Sequence, residues 1–268
     1  MKKIKIIYFI AIFIALFINI EAKESKEIDT KLQVILDLGG QMSNVRLMLE
    51  SYALVGAKIP YSNPKGMLKD SILEYEALIA RISKEIKDKE VKASIAKSKK
   101  AWIPVKKALN SINEETEVSI MKIKAIFIHD NIRSVIRELA YMKEYFLGQI
   151  NTDNSENLNA SIEIGASARR LSAHYMMKMW RLKDDTIKKH WDKGVEIYAN
   201  SIAILEKSSF IENPEFKKLL KESKKELRYF IMLEKFKSKQ LPTLVHKKAE
   251  KVFNNANRMS EIILSSIS

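Results

Sequence analysis

The amino-acid sequence predicts an all-α protein built as two tandem up-down four-helix bundles. Three observations predict this class. Only seven Gly and five Pro occur among the 268 residues, whereas Lys, Leu, Ile, Glu and Ala are abundant, a composition that favours long helices. Apolar residues recur at every third or fourth position over long segments, as they do on the buried face of a helix. The second half of the chain repeats the order of these segments, which indicates an internal duplication.

The first half of the chain contains four predicted helices, at about residues 27–57, 66–87, 91–109 and 118–146. Pro60 and Pro64 mark the turn after the first helix. Pro104 falls within the third helix, which we expect it to kink. The fourth helix has the most regular apolar stripe of the chain, at Val118, Met121, Ala125, Ile128, Ile132, Val135, Leu139, Met142 and Phe146.

The predicted boundary between the halves lies at Asn151-Thr152-Asp153-Asn154-Ser155, because these residue types are typical of turns and linkers. The predicted domains are therefore residues 23–150 and 151–268. The second domain contains four more predicted helices, at about residues 156–181, 184–207 and 214–237 and from 241 onward. Four antiparallel helices with short connections form a bundle, so each half is predicted to be one.

Residues 1–22 have the layout of a secretory signal peptide. A short basic segment ends at Lys5, and an apolar run follows to Ile20, interrupted only by Asn19. Cleavage is expected after Ala22. The alternative is an uncleaved membrane anchor, although the run is shorter than the roughly 20 residues that a spanning helix needs. In either case we expect the rest of the chain to lie in the periplasm.

The charge balance favours an anionic partner. Three Lys and one Glu lie in residues 1–22, so the net charge of +14 falls to +12 for the rest of the chain. The Lys residues are spread through every predicted helix, without the recognition helix or aromatic platform of nucleic-acid-binding proteins. A Lys-rich solvated surface is therefore favoured over nucleic-acid binding. Because the chain has no Cys, disulfides, thiolate nucleophiles and Cys metal ligands are excluded.

Two arginines interrupt apolar stripes at equivalent places in the two halves. Arg46 lies in the middle of one stripe, and Arg169, 123 residues later, lies in the middle of another. A guanidinium in a buried stripe is costly unless an anion or a set of acceptors faces it. We therefore predict that both arginines bind a small anion such as nitrate or a carboxylate by bidentate contacts. The alternative is a structural pairing with a carbonyl or carboxylate of a neighbouring helix.

Three further residues are candidates for the same site. Ser172 lies one turn after Arg169 and could donate a hydrogen bond to the anion, or serve only as a small residue that lets helices approach. Tyr52 and Tyr175 are related by the same offset of 123. They are candidates to line the pocket, with aromatic core packing as the alternative.

Two charged neighbours of the arginines are given other roles. Arg170 lies one helical step from the apolar stripe and is predicted to be at the surface. Glu50 lies one turn after Arg46, which suggests that the first arginine is neutralised within its own half of the chain.

Several segments resemble one known family. Arg169-Arg170-Leu171-Ser172-Ala173 is similar to the Arg-Met-Leu-Ser-Gln core of the N-terminal sensor domain of type IV pilus methyl-accepting chemotaxis transducers, and Arg46-Leu47-Met48-Leu49-Glu50 is a weaker version. That domain is related to the periplasmic nitrate-sensing module of nitrate/nitrite sensor kinases. Lys100-Ala101-Trp102-Ile103-Pro104-Val105-Lys106 resembles the family's third helix. Leu241-Pro242-Thr243-Leu244-Val245 and Asn257-Arg258-Met259 resemble its closing helix.

The resemblance covers nearly all of the chain after residue 22, in two copies. It implies that the arginine of each first helix, Arg46 and Arg169, contacts the anion. The chain departs from the family pattern at Glu50 and Ala173, which replace a Gln, and in its glycines, which lie several residues earlier than usual.

No catalytic or metal-binding pattern is visible in the sequence. The histidines at 129, 174, 190 and 246 stand apart, and none forms the Glu-x-x-His pair of di-iron bundles. His129-Asp130 is a single pair that two more ligands would have to complete before it could form a metal site. Gly-rich phosphate loops, nucleophile elbows and HExxH motifs are missing from the sequence. We therefore predict a non-catalytic protein without a cofactor or a metal.

Two functions remain. The first is an exported sensory or ligand-binding protein that recognises a small anion and relays this to a membrane-bound signalling protein; the duplicated arginine favours it. The second is a ligand-free structural adaptor that docks on another envelope protein; the missing output domain favours it. The sequence leaves open whether the protein forms a homodimer.

Overall fold

The computed structural model describes residues 30–59, 63–112, 116–150, 154–234 and 241–266. These residues form helices and no strand, which confirms the predicted all-α class. The predicted signal peptide and the central linker residues 151–153 lie outside the described residues, as does the turn at 60–62. None of the helices described is long and apolar enough to cross a membrane.

Eight α-helices and one short 3-10 helix (Ser209–Glu212) make up the described part of the chain. Each predicted helix is present, and the bounds that can be compared differ from the predicted ones by a few residues. The predicted start at 27 and the predicted end at 237 lie outside the described residues. The helices are α1 (residues 30–56), α2 (Pro64–Glu85), α3 (Lys89–Leu109), α4 (Val118–Leu147), α5 (Asn154–Met179), α6 (Thr186–Leu205), α7 (Pro214–Leu233) and α8 (Pro242–Leu264).

Local chemistry fixes where several helices begin. The side chains of Asn63, Asp88 and Asn213 accept hydrogen bonds from backbone N–H groups in the first turns of α2, α3 and α7. These bonds satisfy N–H groups of the first helical turn, which have no acceptor within the helix itself. Pro occupies one of the first two positions of α2, α7 and α8, where its missing N–H is not needed. Pro104 lies inside α3, as predicted.

Consecutive helices run antiparallel, as their side-chain contacts show. Near one end of α1, Asp37 forms an ion pair with Arg81 of α2, and further along Asn44 donates to the Ser71 carbonyl at 3.0 Å. Likewise the hydroxyl of Tyr141 in α4 donates to Glu90 of α3 at 2.8 Å. Similar contacts join α2 to α3, α5 to α6, α6 to α7 and α7 to α8.

Helices α1 and α5 lie side by side and run parallel in the interior. Gly39 of α1 contacts Ile162 of α5, and at the other end Gly56 contacts the ring of Trp180. A side chain at either glycine would overlap its neighbour, so these residues set how closely the two helices approach.

The last helix of each half packs against the first helix of the other half. In α4, Lys143 pairs with Glu163 of α5 at 2.7 Å. In α8, His246 contacts Glu50 of α1 at 2.7 Å. As a result α5 is surrounded by α1, α4, α6 and α8 and is buried over almost all of its length. The two halves are in contact along α1, α4, α5 and α8, so these contacts do not mark where one domain ends and the next begins. The predicted boundary at residues 151–155 stays a prediction.

Candidate anion-binding cavity

A cavity of about 320 Å³ opens between α1, α4, α5 and α6. We call it the cationic cavity, because five of its lining side chains are Arg or Lys, three more are His, and none of the lining residues described is acidic. The basic residues are Arg46, Arg133, Arg137, Arg170, Lys193, His129, His174 and His190. The remaining wall is apolar and is formed by Leu49, Ile132, Ile136, Ala173 and Ile197.

Arg46 is the most deeply buried of the Arg and Lys residues that line this cavity. Only 4% of the residue is exposed, and its guanidinium donates a hydrogen bond of 3.3 Å to the carbonyl of Met42 in its own helix. Burial, and to a smaller extent the charge of Arg170, lower the pKa of Arg46 to about 9, while Glu163 opposes the shift. Because the charged neighbour with the largest effect on Arg46 is another arginine, a bound anion would stabilise the charged form of Arg46.

One carboxylate faces three buried or partly buried cations. Glu163 accepts a hydrogen bond of 2.7 Å from Lys143, whose side chain is fully buried. Burial alone would raise the pKa of Glu163, but the charges of Lys143, Arg46 and Arg170 outweigh it and lower that pKa. Lys143 also pairs with Glu144 at 3.3 Å. Glu163 is then the one carboxylate that acts on both Arg46 and Arg170, so the side of α5 that faces the cationic cavity keeps an excess of positive charge.

Arg170 lies in this cavity and not at the surface, which corrects the prediction from the sequence. It is partly buried, and burial lowers its pKa while Glu163 opposes the shift. The prediction assumed that α5 has a solvent-facing side. One feature of the sequence could have indicated that α5 is surrounded by other helices. Small residues occur on every face of α5 and allow helices to pack against each of them: Ala160, Ser161, Gly165, Ala166, Ser167, Ala168, Ser172 and Ala173.

Three histidines from different helices meet beside the arginines. The rings of His129, His174 and His190 lie with their centroids 5.2–5.8 Å apart. Burial lowers the pKa of all three, to about 3 for His174, so they are neutral at pH 7. The guanidinium of Arg133 lies 3.0 Å from His190 Nε2 and can donate to it. No spacing in the sequence brings these positions together, so sequence analysis could not have found the cluster.

Arg169 faces a different and smaller cavity. This space of about 200 Å³ is also lined by Ser43, Glu74 and Phe253. The guanidinium lies 5.5 Å from the centre of the Phe253 ring, and one of its nitrogens has no hydrogen-bond partner in the described structure. Arg46 and Arg169 are therefore both buried, but they do not share a site.

The two cavities are related by the offset of 123 residues, yet they differ in charge. Leu47 lines the Arg169 cavity at the position that corresponds to Arg170, and Glu74 lines it at the position that corresponds to Ile197. The Arg169 cavity thus holds a carboxylate and lacks the second arginine. Of the two, the cationic cavity is the stronger candidate for an anion.

The remaining predicted site residues line neither arginine cavity. Ser172 donates a hydrogen bond of 2.5 Å to Glu50, which also contacts His246. Glu50 is therefore engaged with these two residues and not with Arg46. Tyr52 packs with its ring centroid 6.4 Å from that of Trp180. Tyr175 lines a third cavity, of about 330 Å³, near Asp184 and Trp191.

Comparisons with known protein families, with curated proteins and with solved structures found no match to this chain. The resemblance to the sensor domain of chemotaxis transducers therefore stays a prediction.

Proposed function

We propose that this is an exported, non-catalytic protein that binds a small anion in the cationic cavity and relays binding to a membrane-bound partner. One observation carries the proposal. Arg46 is almost completely buried, shares Glu163 with Arg170 and Lys143, and lines a cavity whose described wall contains no acidic residue. A buried charge without a full partner is costly. An anion held between Arg46 and Arg170 would supply that partner.

The wall of the cavity indicates the class of anion. Planar guanidinium groups suit planar anions with two acceptor oxygens, such as nitrate or a carboxylate. Leu49, Ile132 and Ile136 add an apolar part to the wall, which suits a carboxylate with a short hydrocarbon part. A pocket with an apolar wall and a few convergent polar groups is a typical small-molecule site.

The position of the cavity suggests how binding is relayed. Its walls come from α1 and α4 in the first half of the chain and from α5 and α6 in the second. We propose that the halves are duplicated helical bundles, as the sequence predicts, and that an anion between them biases their packing. Packed helices have discrete arrangements, so binding would shift one against the other. The signal-peptide pattern supports export to the periplasm.

The proposal is tested by calorimetry on the mature chain, titrated with nitrate, nitrite, acetate and longer carboxylates. We expect saturable heat with at least one anion. In Arg46→Met and Arg170→Met the affinity should fall roughly tenfold or more, as expected for lost hydrogen bonds between charged groups. Arg169→Met removes an equivalent buried arginine outside the cavity and should bind as the wild type does. The proposal would be contradicted if a folded wild type gave no binding heat with any of these anions. It would also be contradicted if Arg46→Met bound the anion as tightly as the wild type does.

A ligand-free adaptor is the second candidate function, favoured by the outer face of α4. Ile120, Ile123 and Phe127 are exposed there and lie on one side of the helix. Contiguous exposed apolar side chains often mark protein contacts. If no anion binds, Ile123→Lys should weaken association with an envelope partner without unfolding the chain, which pull-down and circular dichroism would measure.

A further inference from the structure

Two carboxylates converge on one ring nitrogen at the edge of the histidine cluster. His129 and Asp130 lie on α4, and Asp184 lies in the connection between α5 and α6. The Nδ1 atom of His129 is 3.0 Å from Oδ2 of Asp184 and 3.6 Å from Oδ1 of Asp130. These three atoms lie within 4.8 Å of one another. Asp184 thus adds one of the two further ligands that the sequence motif His129-Asp130 lacked.

The two closest ligand atoms are in contact without the geometry of a good hydrogen bond. His129 Nδ1 and Asp184 Oδ2 are 3.0 Å apart, both atoms are buried, and neither has another hydrogen-bond partner in the described structure. His129 is only 2% exposed, so water does not compensate its ring. Two atoms that each bind the same ion at about 2.0–2.2 Å lie about 3 Å apart and point at the ion, not at each other.

The hydrogen bonds around His129 fix which nitrogen carries its proton. His174 Nδ1 lies 2.6 Å from the carbonyl of Arg170, so it must be the N–H that donates there. The Nε2 of His174 is then an acceptor, and it lies 3.2 Å from His129 Nε2. His129 therefore carries its proton on Nε2 and, when neutral, has a free lone pair on Nδ1.

Hydrogen bonds also fix the orientation of the Asp184 carboxylate. Its other oxygen, Oδ1, accepts hydrogen bonds from the backbone N–H and the hydroxyl of Thr186, at 2.8 and 2.7 Å. The oxygen that faces His129 is left without a donor. Metal ligands typically have such outer partners: the His donates its second N–H, and the carboxylate accepts on its second oxygen.

We propose that His129 Nδ1, Asp184 Oδ2 and an oxygen of Asp130 bind one divalent transition-metal ion. Water completes its coordination, because Asp130 lies at the surface with 52% of its side chain exposed. An imidazole ligand favours Zn²⁺, Co²⁺ or Ni²⁺ over Ca²⁺ and Mg²⁺, which prefer oxygen ligands alone. The two carboxylates balance the charge of the ion. His129 also lines the cationic cavity, but neither Arg46 nor Arg170 supplies a ligand atom, so metal binding can be tested separately from anion binding.

The test is a titration of the untagged mature chain, stripped of metal by a chelator, with Co²⁺ followed by its visible absorption and with Zn²⁺ by competition. We expect one equivalent of Co²⁺ to bind, to be displaced by Zn²⁺, and to resist an excess of Ca²⁺. Asp184→Asn and the exposed Asp130→Asn should each weaken binding at least tenfold. Asp185→Asn changes an exposed neighbour and is the matched control, expected to bind as the wild type does.

Two results would overturn the metal site. The first is a folded wild type that binds no Co²⁺ or Zn²⁺, in which case His129 and Asp184 form only an ion pair with a doubly protonated ring. The second is wild-type affinity in Asp130→Asn or Asp184→Asn, which would place any bound ion elsewhere. Circular dichroism of each variant separates lost binding from lost folding.

Discussion

Arg46 is a buried charge whose neighbours leave it partly uncompensated. Its place in an apolar stripe is readable from the sequence, because an arginine among apolar residues at helical spacing stands out. Its surroundings were not readable. Glu163 and Arg170 lie on α5, more than a hundred residues later in the chain, and no local pattern brings them to Arg46. The burial of Arg46 can be predicted from the apolar stripe in which it lies, but its charged neighbours depend on how the helices pack.

Replacing Arg46 should therefore stabilise the ligand-free protein. In Arg46→Met a residue of similar length fills the space without a charge. The fold disfavours the charged form of Arg46, as its lowered pKa shows, and Glu163 keeps Lys143 as a partner at 2.7 Å, so the change removes a buried charge without leaving an unpaired carboxylate. We expect the free energy of unfolding in urea to stay the same or rise. Arg258→Met removes an exposed ion pair with Glu215 and should lose about 1 kcal/mol or less. A loss above about 2 kcal/mol in Arg46→Met would make Arg46 a structural residue.

Glu163 should make the protein sensitive to acid. Its pKa in the folded state lies below the usual 4.5, because the surrounding cations outweigh the effect of burial. A carboxylate of this kind stabilises the fold above its unfolded pKa, and this stabilisation is lost as the pH falls through the folded pKa. Glu163→Gln should therefore be less stable than the wild type at pH 7. The difference should shrink below about pH 4 in urea unfolding; a constant difference from pH 7 to pH 3 would contradict this.

At the scale of helices, the sequence predicted where elements lie but not how many neighbours each has. Caps such as Asn63 and Asn213 and the prolines at helix starts are local signals, so the bounds were accessible. The environment of α5 could not be predicted from the sequence, because an apolar stripe identifies only one buried face of a helix. Its other faces carry Gly, Ala and Ser, which are small enough to be either exposed or tightly packed.

Two glycines of α1 should respond in opposite ways to the same change. In Gly56→Ala the new methyl group overlaps the ring of Trp180, and overpacking of this kind typically costs about 1–3 kcal/mol. Gly40 has open space around its missing side chain. Gly40→Ala should be neutral or stabilise the helix by up to about 1 kcal/mol. Urea unfolding of both variants measures this, and equal changes would refute the close α1–α5 packing.

For the whole molecule, the contacts between the halves are the part that sequence reasoning missed. Composition and periodicity indicated eight helices, and the equivalent arginines pointed to buried sites. They did not indicate that α1 and α5 lie side by side, because residues such as Gly39 and Ile162 give no sign of pairing with each other. The cationic cavity exists only because elements from both halves form its walls.

These contacts predict that both halves unfold in one transition. Trp102 reports on the first half and Trp191 on the second, whereas Trp180 packs against Gly56 and Tyr52 of the first half. Fluorescence of Trp180→Phe/Trp191→Phe should therefore follow the same urea curve as fluorescence of Trp102→Phe/Trp180→Phe, after correction for each variant's stability by circular dichroism. Transitions that differ between fluorescence and circular dichroism in the same variant would instead indicate bundles that fold independently.

The central claim is that the cationic cavity holds an anion that offsets the charge of Arg46. The most direct measurement is the thermal midpoint of the wild type and of Arg46→Met with increasing nitrate or carboxylate, against chloride at equal ionic strength. Because a ligand that binds only the folded state stabilises it, the wild-type midpoint should rise with the anion. Arg46→Met should begin at an equal or higher midpoint and show no specific rise. Identical responses of the two proteins, or no response from a folded wild type, would contradict the claim.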